Sequence, residues 1–336
     1  MHKDEPFLRH CGQGGRLLLF CASTELSALH ASKYVICDGT FEMSPDTAYQ
    51  VYTFHGFVTG EGLPLAWALL PNKSQSTYVE VLTALRDGML AAFGDVGCKK
   101  TFVTDFEQAA INAINVVFPE ATVKGCSFHF REAVLRRVQH EGLRPMYDDK
   151  GSPIHRWLRK LMAMAGLPTF AVPLAWNWLK YPPASGDPAT DAKTQAVAAY
   201  FERTWIDGEF KPALWSHYNV GPRTTNLAEG WHNGLNSRFG MPHPSLRLFL
   251  DWLQKCQHEV QCRGMQLAAG RTPKKKSAVY AKLDADLASE KLHYSVYVGH
   301  LFADVFPGPA VWDYFNSATA HYLDRVELSC VAINGP

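Results

Sequence analysis

The chain contains no stretch of about 18 uncharged apolar residues, which excludes a hydrophobic membrane-spanning helix. Its opening, Met1-His2-Lys3-Asp4-Glu5, lacks the apolar run of a secretory signal, so a secreted or membrane-inserted protein is not expected. Cysteine is thin: Cys11, Cys21, Cys37, Cys98, Cys126, Cys256, Cys262 and Cys330 are scattered over 336 residues with no repeated C-x-x-C. That spacing gives neither a disulfide framework nor a complete zinc ribbon, and a reducing compartment is the expectation. Charge of one sign is also missing. Lys and Arg number 33 against 32 Asp and Glu, for a formal charge of +1, so no global field draws the chain to nucleic acid or anionic lipid. Any such attraction must come from local patches: Arg131, Arg136, Arg137, Arg144, the segment His155-Arg156-Trp157-Leu158-Arg159-Lys160, and Lys274-Lys275-Lys276. Each of these also reads as a solvated helix face. Internal repeats and long low-complexity segments are absent.

What is present is ordinary globular material, 47% hydrophobic and 12% aromatic. Residues 34–41, 49–58 and 62–70 are rich in Val, Tyr, Phe, Thr and Leu, and the last two are separated by Thr59-Gly60-Glu61, which predicts three consecutive antiparallel strands. Val79, Leu82, Leu85, Met89 and Phe93 recur on one face of a helix over 76–93. A strand over 101–105, a helix over 107–118, a strand over 122–128 and a helix to about residue 139 follow, an alternation that implies parallel strands with right-handed crossovers. Between about 145 and 220 the strand patterns stop and helix-like, aromatic-rich segments take over. Two more helices are expected over 225–239 and 246–269. The organisation expected is a lead-in or remnant over 1–30, the first part of an α/β core over 31–144, an all-helical insertion over 145–220, core helices over 221–270, and a basic run with an unassigned tail over 271–336.

Three carboxylates stand out. Asp38 closes a hydrophobic strand pattern, where a charge is costly unless solvated, paired or bound to a cation; taken alone, Asp38-Gly39 more often reads as a turn. Asp105 stands where the next buried strand stops, although Asp105-x-x-Gln108 and Thr104-x-x-Glu107 both resemble helix capping boxes. On a helix, Asn226, Glu229, Asn233 and Asn236 form a polar stripe opposite an apolar one of Leu227, Trp231 and Leu235. If the strands holding Asp38 and Asp105 are neighbours, the returning helix adds Glu229, and three hard oxygen ligands suit Mg²⁺ or Mn²⁺. Two such ions about 3.5–4 Å apart would activate an attacking oxygen and stabilise a leaving one in phosphodiester chemistry.

Cys126-Ser127-Phe128-His129 supplies half a tetrahedral zinc site. Cys256, His258 and Cys262 are the candidates to complete it. A core cysteine with a positioned histidine ranks first, a histidine beside phosphate second and a structural zinc last. His129 opens a helix bearing Arg131, Arg136 and Arg137, which favours an anionic neighbour.

At these residues the sequence resembles the Mutator-like element (MULE) transposase domain. The matching pieces are Asp38-Gly39-Thr40-Phe41, Asn72-Lys73 followed by Tyr78, Thr104-Asp105-Phe106-Glu107, Phe118-Pro119, Cys126-Ser127-Phe128-His129, and the run from Arg223 through Thr225-Asn226-Leu227-Ala228-Glu229-Gly230-Trp231-His232 to Asn233. They occur in the family's order over about residues 15–290. The resemblance implies an RNase H-like mixed sheet of three antiparallel strands plus parallel ones, flanked by helices. It also implies a DDE triad at Asp38, Asp105 and Glu229 holding two Mg²⁺ or Mn²⁺ ions, and cleavage and strand transfer of transposon-end and target DNA in the nucleus. Cys126 and His129 match the family's C-x-x-H, and His129, Arg131, Asn226, His232 and Asn233 are expected to support the site or position DNA. Synapsis of two DNA ends implies a homodimer or larger assembly. Full-length relatives carry an N-terminal zinc-binding recognition module, whereas the catalytic pattern here starts within about 15–35 residues. End recognition is therefore expected from a separate DNA-recognition protein or a missing N-terminal module. The competing function is a domesticated or degenerate transposase acting as a non-catalytic DNA- or chromatin-binding module.

Overall fold

The computed structural model describes residues 7–218, 220–239 and 242–274, with 281–282, 285, 288–289 and 291–292 beyond them. Lys275, Lys276 and the tail from 293 onward lie outside the described residues, as does the side chain of Asn236. In chain order the elements are β1 (Leu8–Gly12), β2 (Leu17–Phe20), α1 (Ser23–Ala31), β3 (Tyr34–Thr40), β4 (Gln50–Val58), β5 (Glu61–Leu70), α2 (Gln75–Phe93), β6 (Thr101–Thr104), α3 (Gln108–Val117) and β7 (Thr122–Gly125). Then come α4 (Ser127–His140), α5 (Arg144–Asp148), α6 (Pro153–Ala163), α7 (Val172–Leu179), α8 (Pro188–Phe201), α9 (Pro212–Trp215), α10 (Asn226–Phe239) and α11 (Leu246–Ala268). The chain divides into two compact units, the first built from residues up to Cys126 and again from Pro222 to Lys274, the second from Ser127 to Gly221 and the residues after 274.

The first unit is organised on a seven-stranded sheet of order β1-β2-β5-β4-β3-β6-β7. Pairing is antiparallel from β1 to β3 and parallel from β3 through β6 to β7. This is the mixed sheet expected, consistent with an RNase H-like fold, with two strands more than the sequence pattern suggested. Thr59 and Gly60 turn β4 into β5 with φ values of 48° and 82°, the left-handed conformation that a tight hairpin requires. Alternation sorts the strands by face. Cys37, Tyr52, Phe54 and Phe102 join Tyr78, Val81, Leu82 and Leu85 of α2 and Ala113 and Ile114 of α3 in the main hydrophobic core. Ile36 and Val103, on the other face, pack on Ala228 of α10.

Ser74 caps α2 by accepting from the Thr77 N–H, and Gly94 ends it with φ 84°. Lys100 is buried and donates to the carbonyls of Leu29, His30 and Ser32 at 2.9, 3.1 and 3.3 Å, closing the C-terminus of α1.

The second unit is all-helical over its described residues, with an aromatic core. The Phe130 ring stacks on Trp215 at 5.0 Å and meets Trp205 edge-on at 4.8 Å, and Trp176 stacks on Phe201 at 5.3 Å. Three indole N–H groups find partners: Trp157 donates to the Leu179 carbonyl at 2.7 Å, Trp215 to the Trp205 carbonyl at 2.9 Å and Trp176 to Glu202 at 3.1 Å. No helix among the described residues is long and apolar enough to cross a membrane.

Candidate active site

Asp38 lies inside β3, not in a turn. Gly39 pairs with Tyr52 and Thr40 with Val51, so the strand continues past the carboxylate. The same register decides where Asp105 stands. Ile36 is level with Val103, the last pair of the parallel β3–β6 ladder; Asp38 follows two residues on within β3, and Asp105 follows two residues on just past the end of β6, its Oδ1 3.3 Å from the Thr104 hydroxyl. Capping does not explain Asp105. The N-cap of α3 is Glu107, which makes no side-chain cap bond; its carboxylate takes the Lys73 ammonium at 2.6 Å. Both aspartates act on one buried thiol: burial, then the charges of Asp38 and Asp105, push Cys37 well above the usual cysteine value.

Cys126 occupies the corresponding place after β7. Thr104 pairs with Gly125 and the Cys126 N–H donates to the Thr104 carbonyl at 2.7 Å, which sets Cys126 level with Asp105. Gly125 is required here, because a Cβ at this position would fall 2.3 Å from the Phe106 ring. The Cys126 sulfur accepts from the Thr225 N–H at 3.3 Å. The Thr225 hydroxyl, 3.4 Å from that sulfur, is 2.9 Å from Glu229 Oε1. The end of the last parallel strand thus holds the start of the helix bearing Glu229.

α10 settles on the sheet through small and apolar contacts. Ala228 is fully buried between Ile36 and Val103. Leu227 comes down on Gly62, where a Cβ would lie 2.3 Å from its methyl. The Trp231 ring packs at 6.3 Å from Trp67, 5.3 Å from Trp252 and 6.2 Å from His55. Glu229 is half-buried in the first turn of the helix, beside the residue that touches the strands of both aspartates. Asp38 is turned toward His232, whose Nδ1 is 3.3 Å from Oδ2, and Glu229 toward Thr225. Among the described residues the three carboxylates do not close into one cluster of ligand atoms.

The supporting residues divide by exposure. Asn226 and Asn233 are exposed, whereas His232 is 6% exposed with its ring directed inward. His129 and Arg131 lie in the first part of α4, in the second unit, both half-buried. No group among the described residues joins Cys126 to Cys256, His258 or Cys262 in a metal-sized cluster; Cys262 and His258 approach each other at 3.6 Å on α11. Several basic candidates are spoken for. Arg137 pairs with Glu141 at 2.7 Å, Arg144 with Asp148 at 2.8 Å, and Arg159 is buried.

Beside Asp38, the loop from β3 to β4 presents Phe41 and Tyr49, 41% and 53% exposed, edge to face at 5.4 Å. The Lys73 ammonium lies 4.5 Å from the Phe41 ring centre.

Thr53, His55 and Thr225 are the residues that the motifs did not single out. His55 carried a signal, a histidine in an otherwise apolar strand run. Thr225 lay inside the last motif without a role.

Residues 34–133 match the family model of the MULE transposase domain. Over these residues the chain is similar to that domain. The match takes in Asp38, Asp105, Cys126, His129 and Arg131, and Glu229 lies beyond it on α10. No curated protein matches the chain. Over the matched residues the chain is similar to a family of transposases, and the mixed sheet is the scaffold on which Asp38 stands.

Proposed function

We propose that this chain is a transposase that cuts and joins DNA strands with two divalent ions held by Asp38, Asp105 and Glu229. The observation that supports the reading is the β3–β6 register: Asp38 and Asp105 each follow the Ile36–Val103 pair by two residues, and Ala228 of the helix bearing Glu229 packs on that pair. The donor set fits the ions: carboxylate oxygens suit Mg²⁺ or Mn²⁺, and two aspartates in neighbouring strands repel each other unless a cation lies between them. When bound, such ions acidify an attacking water or hydroxyl and take up charge on the leaving oxygen. The chain supplies the rest. Thr225 and Cys126 anchor the start of α10, and Ala228 sets its height over the strands.

The exposed Phe41–Tyr49 pair and Lys73 offer rings and a cation to a nucleic-acid strand entering beside Asp38. Asn226 and Asn233, exposed on α10, offer amides to the same strand, and His129 and Arg131 are assigned to DNA through their position at the start of a helix. The substrates are transposon-end and target DNA, the compartment is the nucleus, and pairing of two ends calls for a dimer or larger assembly.

Nicking of supercoiled plasmid in Mn²⁺ tests the reading. Asp38→Asn is expected to lower the rate by at least about 100-fold with folding intact; an undiminished rate removes the triad assignment. A second reading, a non-catalytic DNA- or chromatin-binding module, draws on the net charge of +1 and on the internally paired arginines, since strand processing calls for firm DNA engagement. It predicts no nicking by the wild type, and salt-sensitive DNA binding that survives triad substitution.

A further inference from the structure

The β3–β6 ladder ends before it reaches the aspartates. Its last pair is Ile36 with Val103 and β6 stops at Thr104, so among the described residues no backbone pairing of these two strands sets the distance between Asp38 and Asp105. Each strand end is held from its far side. Gly39 and Thr40 pair with Tyr52 and Val51 of β4, and the Cys126 N–H that follows β7 donates to the Thr104 carbonyl at 2.7 Å. One side chain reaches both ends. Lys73, on the turn from β5 to α2, places its ammonium 2.6 Å from Glu107 Oε2 and 4.5 Å from the centre of the Phe41 ring. Glu107 follows Asp105 by two residues, and Phe41 follows Asp38 by three.

We propose that Lys73 is a positioning residue for the metal site: it ties the end of β3 to the turn after β6 and so holds Asp38 and Asp105 at a fixed separation. The inference rests on the triad reading for the metal, and on the contacts of Lys73 for the tie.

The tie is braced at every point. Asn72 Oδ1 accepts from the Ser74 N–H and the Thr77 hydroxyl, both at 2.8 Å, and Ser74 caps α2. The backbone of Lys73 therefore lies between two residues fastened to the first turn of that helix. At the β3 end, the Phe41 carbonyl accepts from the Ser44 N–H at 3.1 Å, and the Ser44 hydroxyl donates to the Ala48 carbonyl at 2.8 Å. At the β6 end, the Glu107 carbonyl accepts from the Ile111 N–H at 3.1 Å and opens α3. Glu107 makes no side-chain bond to its own helix, so its carboxylate serves Lys73 instead.

The chemistry suits such a tie. A short charge-assisted hydrogen bond fixes a separation, and an ammonium over a ring adds attraction on the other side. The Glu107 side chain is 17% exposed, which limits the screening of the pair by solvent. A lone ammonium beside the aspartates would repel divalent cations, whereas the Glu107 charge cancels it. Two ions about 3.5–4 Å apart demand ligands at a set spacing, and groups that orient metal ligands are typically worth 10–100-fold in metal affinity or activity.

Mn²⁺ binding to the full chain without DNA, read from the loss of the free-ion EPR signal, tests the tie apart from catalysis. Lys73→Met/Glu107→Gln removes the pair without changing net charge and is expected to weaken binding by about 10-fold or more. Lys73→Arg keeps a charged donor and is expected to stay within about threefold of the wild type. Wild-type binding by the double variant overturns the proposal, as does equal weakening in Lys73→Arg. Should the double variant fail to fold, Phe41→Leu decides. It removes an exposed ring, leaves the ion pair, and is expected to weaken binding by at least about threefold; unchanged binding overturns the proposal. Plasmid nicking supplies the second readout, in which the double variant is expected to need more Mn²⁺ for half its maximal rate. A loss confined to the KM for DNA, with Mn²⁺ binding unchanged, assigns Lys73 to DNA alone and overturns the tie. Failure of the triad reading shows separately, as an Asp38→Asn protein that binds Mn²⁺ as the wild type does.

Discussion

Glu61, at the start of β5, receives both branches of the Arg263 guanidinium, at 2.9 and 2.5 Å, and the Lys274 N–H at 2.8 Å. The hydrogen bonds from Arg263 hold its carboxyl below the usual glutamate range, against the opposing effect of burial. Its stabilising effect is therefore complete above the unfolded glutamate value of about pH 4.3 and is lost as the pH falls through the lower folded value. Arg263→Met leaves this carboxylate short of its partner and is expected to lower stability at pH 7. The difference from the wild type should shrink below pH 4 in urea unfolding, and a difference that grows on acidification would contradict the assignment. At this scale the sequence was informative about which residues matter and ambiguous about why. Asp38-Gly39 reads as a turn until strand pairing places it in β3. Asp105 reads as a cap until α3 begins at Gln108 with Glu107 committed to Lys73. The contacts of Thr53 and Thr225 depend on residues 179 and 99 positions away, which no local pattern contains.

Periodicity reached the elements well where they are long or strongly sided. α2 and α11 repeat apolar residues at helical spacing, and they span Gln75–Phe93 and Leu246–Ala268. The strand ends between 34 and 70 fall within one residue of the alternating runs. β1 and β2 escaped because they are short: Leu17–Phe20 is four apolar residues with no alternation to read, and Leu8–Gly12 mixes charged and apolar positions at a sheet edge. α10 is the element on which the site depends, and Ala228 sets its distance from the sheet. Ala228→Leu inserts three carbons where Ile36 and Val103 leave no room. It is expected to cost about 1–3 kcal/mol through overpacking and to reduce nicking more than unfolding of the residual population explains, because Glu229 rises with the helix. Thermal unfolding and nicking measured on the same preparation check this, and wild-type nicking with lowered stability would show that the height of α10 is immaterial.

Across the whole chain, the site is assembled from segments that the sequence keeps far apart. Asp38 and Asp105 come from the first pass through the sheet. Glu229 and His232 arrive only after the chain has built the helical unit and returned at Pro222. The order of motifs made this return legible, whereas the pairing of β3 with β6 was an assumption that only the register supplies. On the reading proposed above, Asp38, Asp105 and Glu229 serve as one divalent-metal site. Thermal unfolding of the wild type and of the Asp38→Asn/Asp105→Asn double variant, each with and without millimolar Mn²⁺, tests it most directly. Ligand binding to the folded state alone raises its stability, so Mn²⁺ is predicted to raise the Tm of the wild type and leave that of the double variant in place. An equal shift in both proteins, or none in either, would contradict it.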